Sequence, residues 1–245
     1  MRTVALIPAR GGSQRIPNKN AINLLGHPMI AYTIATALAS SAIDEVLVST
    51  DSEEIKEISE KYGAWVPGMR PPEISGTESS DLQWIKHAIE SWLEVSSSDK
   101  LIILRPTNPL RKRETIEGAM DLVSKIDDWH SLRAVRPVKE HPSKVWRRQG
   151  AYITPYNPEL NQVTGTDSHS SPMQTLEPLY VQDASLEICK VSTILETNSI
   201  SGTKVIPFEM PGNEGFDINL PGDLDYLKHL LDSGKASLPP ITQKH

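Results

Sequence analysis

Short apolar runs alternate with amphipathic segments along the first 135 residues of this 245-residue chain. The runs contain few polar side chains, which is typical of strands that are buried on both faces of a sheet. The segments between them repeat their apolar residues at the spacing of a helix with one buried face. This alternation predicts an α/β fold in which a mainly parallel sheet lies between two layers of helices.

The same periodicity places the individual elements. It predicts strands at residues 3–7, 45–50, 64–66, 101–104 and 131–135, helices at about 28–41, 52–62, 80–93 and 115–126, and then strands at 185–191 and 204–207 and a helix at 221–231. Right-handed crossovers would put the carboxyl end of every strand at one edge of the sheet. Ligands of such sheets bind at that edge, so the loops that leave the strands are the candidate site.

The regular pattern breaks at about residues 137–178, where Pro, Ser, His and Asn are frequent and helical periodicity is weak. A connection of this length is too long for an ordinary loop in a compact domain. We expect one domain over residues 1–245 that carries this segment as an insertion of extended hairpins, or a flap.

Composition excludes several classes of protein. The single cysteine, Cys189, excludes an intrachain disulfide framework and a zinc ribbon. Nothing approaches the roughly 20 apolar residues that cross a bilayer, and the first apolar stretch is too short for a secretory signal peptide. The formal net charge of −6 disfavours a nucleic-acid partner. We therefore expect a cytoplasmic protein with no membrane or nucleic-acid partner.

The loop after the first predicted strand contains the strongest functional signal. Gly11 and Gly12 allow close approach of the backbone to a ligand, and their N–H groups can form a nest for a phosphate. Arg10, Arg15 and Lys19 add three cations to this loop, and the chain has no acidic residue before position 44. The loop matches neither the GxxxxGK[ST] nor the GxGxxG template. It predicts a site for a phosphate-bearing ligand of another kind.

Five motifs in order resemble the CMP-sugar synthetases, the acylneuraminate cytidylyltransferase family. They are IPARGGSQRIPNKN at 7–20, VSTDSEEI at 48–55, RPPEIS at 70–75, RPTNPLR at 105–111 and FDINLPGDL at 216–224. The resemblance covers nearly the whole chain. It implies a three-layer, Rossmann-like nucleotidyltransferase fold with an extended dimerisation flap, and hence a homodimer.

The resemblance also implies an activity. The anomeric hydroxyl of an acidic nonulosonic sugar would attack the α-phosphate of CTP, giving a CMP-sugar and pyrophosphate. Two alternatives stay open: the same fold using another nucleoside triphosphate or a sugar 1-phosphate, or a sugar-nucleotide-binding homologue without catalysis. CTP and an acidic sugar are the expected partners.

The motifs imply roles for particular residues. Catalysis would rest on Arg10, Arg15 and Lys19, which would hold the phosphates, and on Asp217. The nucleotide would be bound by Ala9, Gly11, Gly12, Ser13, Asn20, Arg70 and Ser80. Phosphoryl transfer depends chiefly on positioning and on neutralising charge, which fits this set of cations.

A magnesium site (or manganese) is the expected cofactor site, because hard cations prefer carboxylate oxygens and bridge phosphates. In the family, both acidic residues of a DID sequence are implicated. Here the residues are Asp217 and Asn219, so the second ligand is an amide. Asp223 fits the start of the following helix better than it fits a metal site.

At two places the sequence departs from the family motifs in residues that the resemblance assigns to sugar recognition. Arg105 stands where many members have Gln, and the run QDASLE at 182–187 replaces QNGAIY of the sialic acid members. We expect Arg105, Thr107 and Gln182 to contact the sugar, which could be sialic, legionaminic or pseudaminic acid, or a related acid.

Overall fold

A computed structural model describes residues 1–159 and 168–241. The chain divides into two compact units, Met1–Ala134 with Asp183–His245, and Val135–Gln182. The second unit begins and ends within a few residues of the expected insertion at 137–178. Residues 160–167 of that insertion lie outside the described residues.

Sixteen α-helices and β-strands are defined within the described ranges. The strands are β1 Thr3–Pro8, β2 Asn23–Leu24, β3 His27–Pro28, β4 Glu45–Ser49, β5 Lys100–Ile103, β6 Ser131–Pro137, β7 Trp146–Gln149, β8 Tyr152–Pro155, β9 Tyr180–Lys190 and β10 Val205–Glu209. The helices are α1 Met29–Ala39, α2 Glu53–Lys61, α3 Asp81–Ser91, α4 Arg113–Ser124, α5 Val191–Thr197 and α6 Pro221–Asp232.

Six strands form the central sheet in the order β10-β6-β9-β5-β1-β4. β1 pairs in parallel with both β4 and β5, which aligns the carboxyl ends of these three strands. β9 is antiparallel to β5, with Ile103 opposite Glu187. The expectation that every strand points the same way is therefore wrong for β9. The physical reason is that β9 follows the second unit in the chain and is not reached from β5 by a single helical crossover.

The expected three layers are confirmed, because alternate residues of β1 enter two separate cores. Ala5 and Ile7 pack in a cluster with residues of α1, α2 and α4. Val4 and Leu6 pack in a second cluster with residues of α3 and α5. The sheet is thus covered by helices on both faces, and its central strands are fully buried.

Two local predictions differ from the structure. Residues 64–66 form no strand, and Trp65 makes a single parallel bridge to Leu47. Helix α5 was not predicted, because its β-branched residues Val191, Thr193 and Ile194 favour strands when considered alone. All three side chains are buried in the structure, so tertiary packing overrides that preference.

The second unit contains a two-stranded antiparallel hairpin, β7 with β8. Large apolar side chains of this hairpin region are exposed, including Trp146, Tyr152, Ile153 and Tyr156. Lys144 is fixed within the unit, since its Nζ donates to the backbone oxygen of Ser171 at 2.7 Å.

No helix in the described part of the chain has the length and apolarity needed to cross a membrane.

Two glycines provide a test of the fold that is independent of function. Gly202 has φ +61°, and a Cβ there would lie 2.7 Å from Cβ of His130. Gly118 lies in α4, and a Cβ there would meet nothing within 4 Å. We predict that Gly202→Ala lowers the free energy of unfolding by about 1–3 kcal/mol, because it adds backbone strain and a steric clash.

The matched variant Gly118→Ala should raise the free energy of unfolding by about 0.5–1 kcal/mol, because alanine is the better helix former. Urea unfolding of both variants measures the difference. Equal stability of the two variants would contradict the conformation assigned to Gly202.

Candidate functional site

A cavity of about 390 Å³ lies at the carboxyl ends of β1 and β5, within the first unit. Segments that are far apart in the sequence meet there: the loop after β1, the segment before α3, the loop after β5 and the segment before α6. The lining consists of Pro8, Arg10, Ser13, Lys19, Asn20, Arg70, Ile74, Gly76, Thr77, Ser79, Asp81, Trp84, Arg105, Pro106, Thr107, Ala184, Asp217 and Asn219. The expected ligand edge therefore carries a cavity.

The loop after β1 is held in shape by its own chain. Asn20 is buried, and its Nδ2 donates to the backbone oxygen of Arg10 at 3.1 Å. The N–H of Gly11 donates to Oδ1 of Asp51 at 2.8 Å. A Cβ on Gly11 would lie only 3.0 Å from Cβ of Ser52, so this position favours glycine. Ala9 is buried beneath the loop, and its N–H donates to Ser49 O at 3.0 Å.

Two of the three loop cations line the cavity, and both make contacts. Arg10 Nη1 donates to the backbone oxygen of Gly76 at 2.9 Å, and Lys19 Nζ donates to that of Ile218 at 2.8 Å. Burial lowers the pKa of Lys19; Asp217 opposes this shift, while Arg15 and Arg10 reinforce it. The three cations therefore share one electrostatic environment. Arg15 itself is exposed, as is Gly12.

Arg70 is a buried member of the site, not a surface arginine. Its side chain is 5% exposed and lies over the ring of Trp84, 5.2 Å from the centroid. Nε donates to Ser49 Oγ at 3.0 Å, and Nη2 donates to Ser49 O at 2.7 Å. Burial lowers the pKa of Arg70 to about 10. The guanidinium is thus fixed where it meets the cavity.

Ser80 is the N-cap of α3, and its N–H donates to Oε1 of Gln83 at 2.8 Å. This contact explains its position before the helix, and its neighbour Ser79 lines the cavity. Contact of Ser80 with a base stays a prediction.

Gln182 ends the second unit and is exposed in β9, and its contact with a sugar also stays a prediction.

Asp217 and Asn219 face each other at one end of the cavity. Asn219 Nδ2 donates to Asp217 Oδ2 at 2.6 Å, and Asn219 Oδ1 lies 3.5 Å from Lys19 Nζ. The other oxygen, Asp217 Oδ1, is buried without a hydrogen-bond partner among the described residues. Asp223 Oδ2 accepts the backbone N–H groups of Asn219 and Leu220, each at 2.7 Å, as expected for a residue at a helix start.

The arrangement of Asp217 and Asn219 can be compared with what a metal site requires. Within the described residues, no group of three or more His, Cys, Asp or Glu side chains is placed to hold a metal ion. One unpartnered carboxylate oxygen fits a hard cation whose other ligands are phosphate oxygens and waters. The amide of Asn219 would have to exchange its present partners before its oxygen could join such a site.

Arg105 also lines the cavity and is surrounded by charge, including that of Asp217, which helps to raise its pKa. Its Nη2 forms an ion pair with Asp81 and lies 3.5 Å from Oε1 of Glu187. Glu187 is 1% exposed and forms a second ion pair with Arg133. Thr107 contributes its backbone oxygen, which accepts the N–H of Ile218 at 2.9 Å.

Sequence reasoning missed Asp81 and Glu187. Asp81 could be assigned only to the first turn of a helix. The sequence could have indicated an ion pair at Glu187, because a charged residue within the apolar strand run SLEIC requires a buried partner. Asp51 lies within the motif at 48–55 but is not the cap of α2: Ser52 caps that helix, and Asp51 holds the loop after β1 at Gly11.

Comparisons with known proteins agree with this fold. A family model described as Cytidylyltransferase matches residues 4–144. A CMP-N,N'-diacetyllegionaminic acid synthase of Legionella pneumophila is 33% identical over 97% of this chain and 100% of its own length. A pseudaminic acid cytidylyltransferase of Campylobacter jejuni is 33% identical over 94% of this chain and 96% of its own length.

Among solved structures, a CMP:2-keto-3-deoxy-manno-octonic acid synthetase complexed with CTP is similar with a TM-score of 0.67. The alignment covers 96% of this chain and 100% of that one, at 15% identity. A likeness at this level of identity concerns the fold.

The environment of Arg70 predicts that lysine cannot replace it. Arg70→Lys loses the two-pronged contact with Ser49 and the planar stacking on Trp84, and it leaves Ser49 O without that donor. We expect the free energy of unfolding to fall by about 1.5–3 kcal/mol. The matched control is Arg113→Lys, at an exposed arginine of α4, which should change it by less than about 0.5 kcal/mol. Urea unfolding that finds both variants unchanged would contradict the buried role of Arg70.

Proposed function

Because the chain belongs to the cytidylyltransferase family, we propose that it transfers the cytidylyl group of CTP to an acidic nonulosonic sugar, with release of pyrophosphate. The observation that carries this proposal is the meeting of Arg10 and Lys19 with Asp217 and Arg105 in one cavity. Cations suited to a polyphosphate lie beside a carboxylate suited to a metal. A further arginine, Arg105, lines the same cavity and would contact a second substrate.

The proposed reaction makes one bond and breaks one. The anomeric hydroxyl oxygen bonds to the α-phosphorus of CTP, the bond from that phosphorus to the bridging oxygen breaks, and pyrophosphate leaves while the hydroxyl loses its proton. Arg10, Arg15 and Lys19 would neutralise the phosphate oxygens as charge moves onto the leaving group. Of the backbone donors expected at Gly11, Gly12 and Ser13, the N–H of Gly12 would serve the phosphates, because the N–H of Gly11 donates to Asp51 and that of Ser13 to Gly11 O. Arg70 and Asn20 would keep the nucleotide site in shape.

Mg²⁺ (or Mn²⁺) is the cofactor that we propose, with Asp217 as its protein ligand and Asn219 beside it. When bound, such an ion would neutralise the triphosphate and orient it for in-line displacement. The buried, unpartnered Asp217 Oδ1 supports this role. Lys19, held 2.8 Å from the neighbouring Ile218 O, would keep a second positive charge at the same phosphates.

The sugar is to be identified by experiment. Legionaminic and pseudaminic acids are the substrates that the names of the two similar proteins indicate, and sialic acid is the third candidate. Pyrophosphate release would be measured with CTP, ATP, GTP and UTP against these three acids and against a sugar 1-phosphate. Turnover with CTP and an acid supports the proposal, whereas turnover only with another nucleotide or the sugar phosphate would replace it. Nucleotide binding without any turnover would favour the non-catalytic homologue.

We also propose a cytoplasmic homodimer in which the second unit supplies the contact surface. The support is the set of exposed apolar side chains in and beside the β7–β8 hairpin, Trp146, Tyr152, Ile153 and Tyr156. Large exposed apolar patches mark interaction sites. Analytical ultracentrifugation should find a dimer at micromolar concentration, and Tyr152→Asp with Tyr156→Asp should shift it towards monomer. A wild-type monomer at that concentration would contradict the proposal.

Removal of Arg10 should impair catalysis. Arg10→Ala deletes charge-assisted contacts worth about 1.5–3 kcal/mol, so kcat/KM for CTP should fall roughly 10–150-fold. Arg113→Ala is the matched control, since this exposed arginine forms its ion pair with the neighbouring Glu114, outside the cavity lining, and should retain wild-type kinetics. Unchanged CTP kinetics of Arg10→Ala would refute the phosphate role.

The metal site predicts opposite effects for two substitutions. Asp217→Asn should nearly abolish turnover while the thermal unfolding midpoint changes little, because it removes the one available carboxylate. Asn219→Asp should lower the Mg²⁺ concentration needed for half-maximal rate, because two facing carboxylates attract a cation. Mg²⁺ titrations of pyrophosphate release compare the three proteins. Full activity of Asp217→Asn would place the metal elsewhere, and full activity of wild type in EDTA would exclude the ion.

A further inference from the structure

Four charged side chains form a connected cluster behind the cavity, which we call the Arg105 cluster. Its members are Asp81, Arg105, Arg133 and Glu187. Asp81 and Glu187 both approach Nη2 of Arg105, and Glu187 also pairs with Arg133. Arg133 is anchored in turn, because its Nη2 donates to Ser201 Oγ at 2.8 Å. Asp81 and Arg105 line the cavity, whereas Glu187 is almost fully buried.

The charges of the Arg105 cluster balance, with two arginines against two carboxylates. Burial alone would lower the pKa of Arg105, but Asp81 and Glu187 outweigh burial and raise it. Burial alone would raise the pKa of Asp81, but Arg105 lowers it. Burial raises the pKa of Glu187, which the two arginines oppose. With all four groups ionised, the cluster offers no net positive charge to an incoming anion.

Arg105 nevertheless keeps unused hydrogen-bond donors. Its contacts with Asp81 and Glu187 use only Nη2, so Nη1 has no hydrogen-bond partner among the described residues and is the donor that a cavity ligand can reach; Nε is also unpartnered but is buried. A guanidinium has five N–H donors and no acceptor. A ligand oxygen in the cavity could therefore accept from Arg105 without displacing either carboxylate.

The Arg105–Glu187 contact joins the loop after β5 to the neighbouring strand β9, where the two side chains approach to 3.5 Å. A largely buried arginine requires a compensating anion, which Glu187 supplies from within the sheet.

We infer that Arg105, positioned by Asp81 and Glu187, is the specificity-determining residue of the sugar site, and that it donates to the carbonyl oxygen of an N-acyl group of the sugar and not to the sugar's carboxylate. This inference rests on the proposed function. A charge-balanced group gains little from a further anion, but its free donors suit an uncharged oxygen. An amide carbonyl is a pure acceptor and so matches a pure donor.

The competing arrangement is carboxylate exchange, in which the sugar's carboxylate displaces Asp81 from Arg105. Exchange would break the Asp81–Arg105 pair and leave Asp81 as an unpaired charge beside a second anion. Asp81 is also fixed by Trp84, whose Nε1 donates to its Oδ1 at 2.9 Å. Both contacts hold the Asp81 carboxylate in place and favour an Asp81–Arg105 ion pair that persists when the sugar binds.

The test uses sugars that all carry the carboxylate and differ in one substituent. N-acetylneuraminic, N,N'-diacetyllegionaminic and N,N'-diacetylpseudaminic acids would each be compared with an analogue that has hydroxyl in place of acetamido. For the sugar with best wild-type turnover, Arg105→Gln should lower kcat/KM at least about tenfold for the acetamido form and less than about threefold for the hydroxyl form. The KM for CTP should stay unchanged.

Arg105→Gln should fold, because Glu187 keeps its pair with Arg133. If it does not, Arg105→Lys keeps the charge but loses the planar donors, and the same selective loss is expected. Asp81→Asn should also lower kcat/KM for the acetamido form, because Arg105 loses a support. The matched controls are Arg113→Gln and Asp121→Asn, at exposed ion pairs with Glu114 and Lys125. Both controls should keep the wild-type sugar preference.

Each outcome decides a different question. In Arg105→Gln, an equal loss of kcat/KM for both sugar forms, or no loss at all, would overturn the inference. A lower sugar KM in Asp81→Asn would also overturn it, in favour of carboxylate exchange. Absence of turnover by wild type with every acid would instead overturn the proposed function, and the inference with it. Turnover of the acids with a selective loss in Arg105→Gln supports both.

Discussion

The parallel pairing of β1 with β4 on one side and β5 on the other is the constraint on which the site depends. It places the ends of three strands side by side, so the loops that leave them must share one edge. Residues 10–20 follow β1, Asp51 follows β4, and Arg105 and Thr107 follow β5. Each loop would be an ordinary surface connection by itself. The register of the sheet brings Arg10, Lys19, Arg105 and Thr107 into the lining of one cavity, and it lets the N–H of Gly11 donate to Asp51.

Sequence reasoning predicted those parts of the site that depend on local pattern. The strand alternation predicted the layers, and the glycines and cations of the loop after β1 indicated a segment that does line the cavity. Asp217 is separated from Lys19 by almost the whole chain, and the motif resemblance, not periodicity, connected them. The direction of β9 could not be predicted, because an apolar run has the same composition whichever way it points.

The Arg105 cluster illustrates the same limit at the level of side chains. Arg105 was noticed as a departure, but its partners lie in a helix and in an antiparallel strand. Which carboxylate meets which guanidinium depends on the register of β9 against β5, and that register is a property of the folded sheet. Arg111 is a related case, since this fully buried arginine donates to Ser185 O and, at 3.2 Å, to Arg105 O. It fastens the loop after β5 to β9.

The hydrogen bond from Asn20 to the backbone of Arg10 has a consequence for the energetics of recognition. Together with the contact between Gly11 and Asp51, it ties both ends of the loop after β1. Fixing a backbone residue costs about 1–2 kcal/mol of conformational entropy. At these two points that entropy is lost when the chain folds. A ligand that binds this loop therefore loses less affinity to the ordering of the backbone than it would at an untied loop.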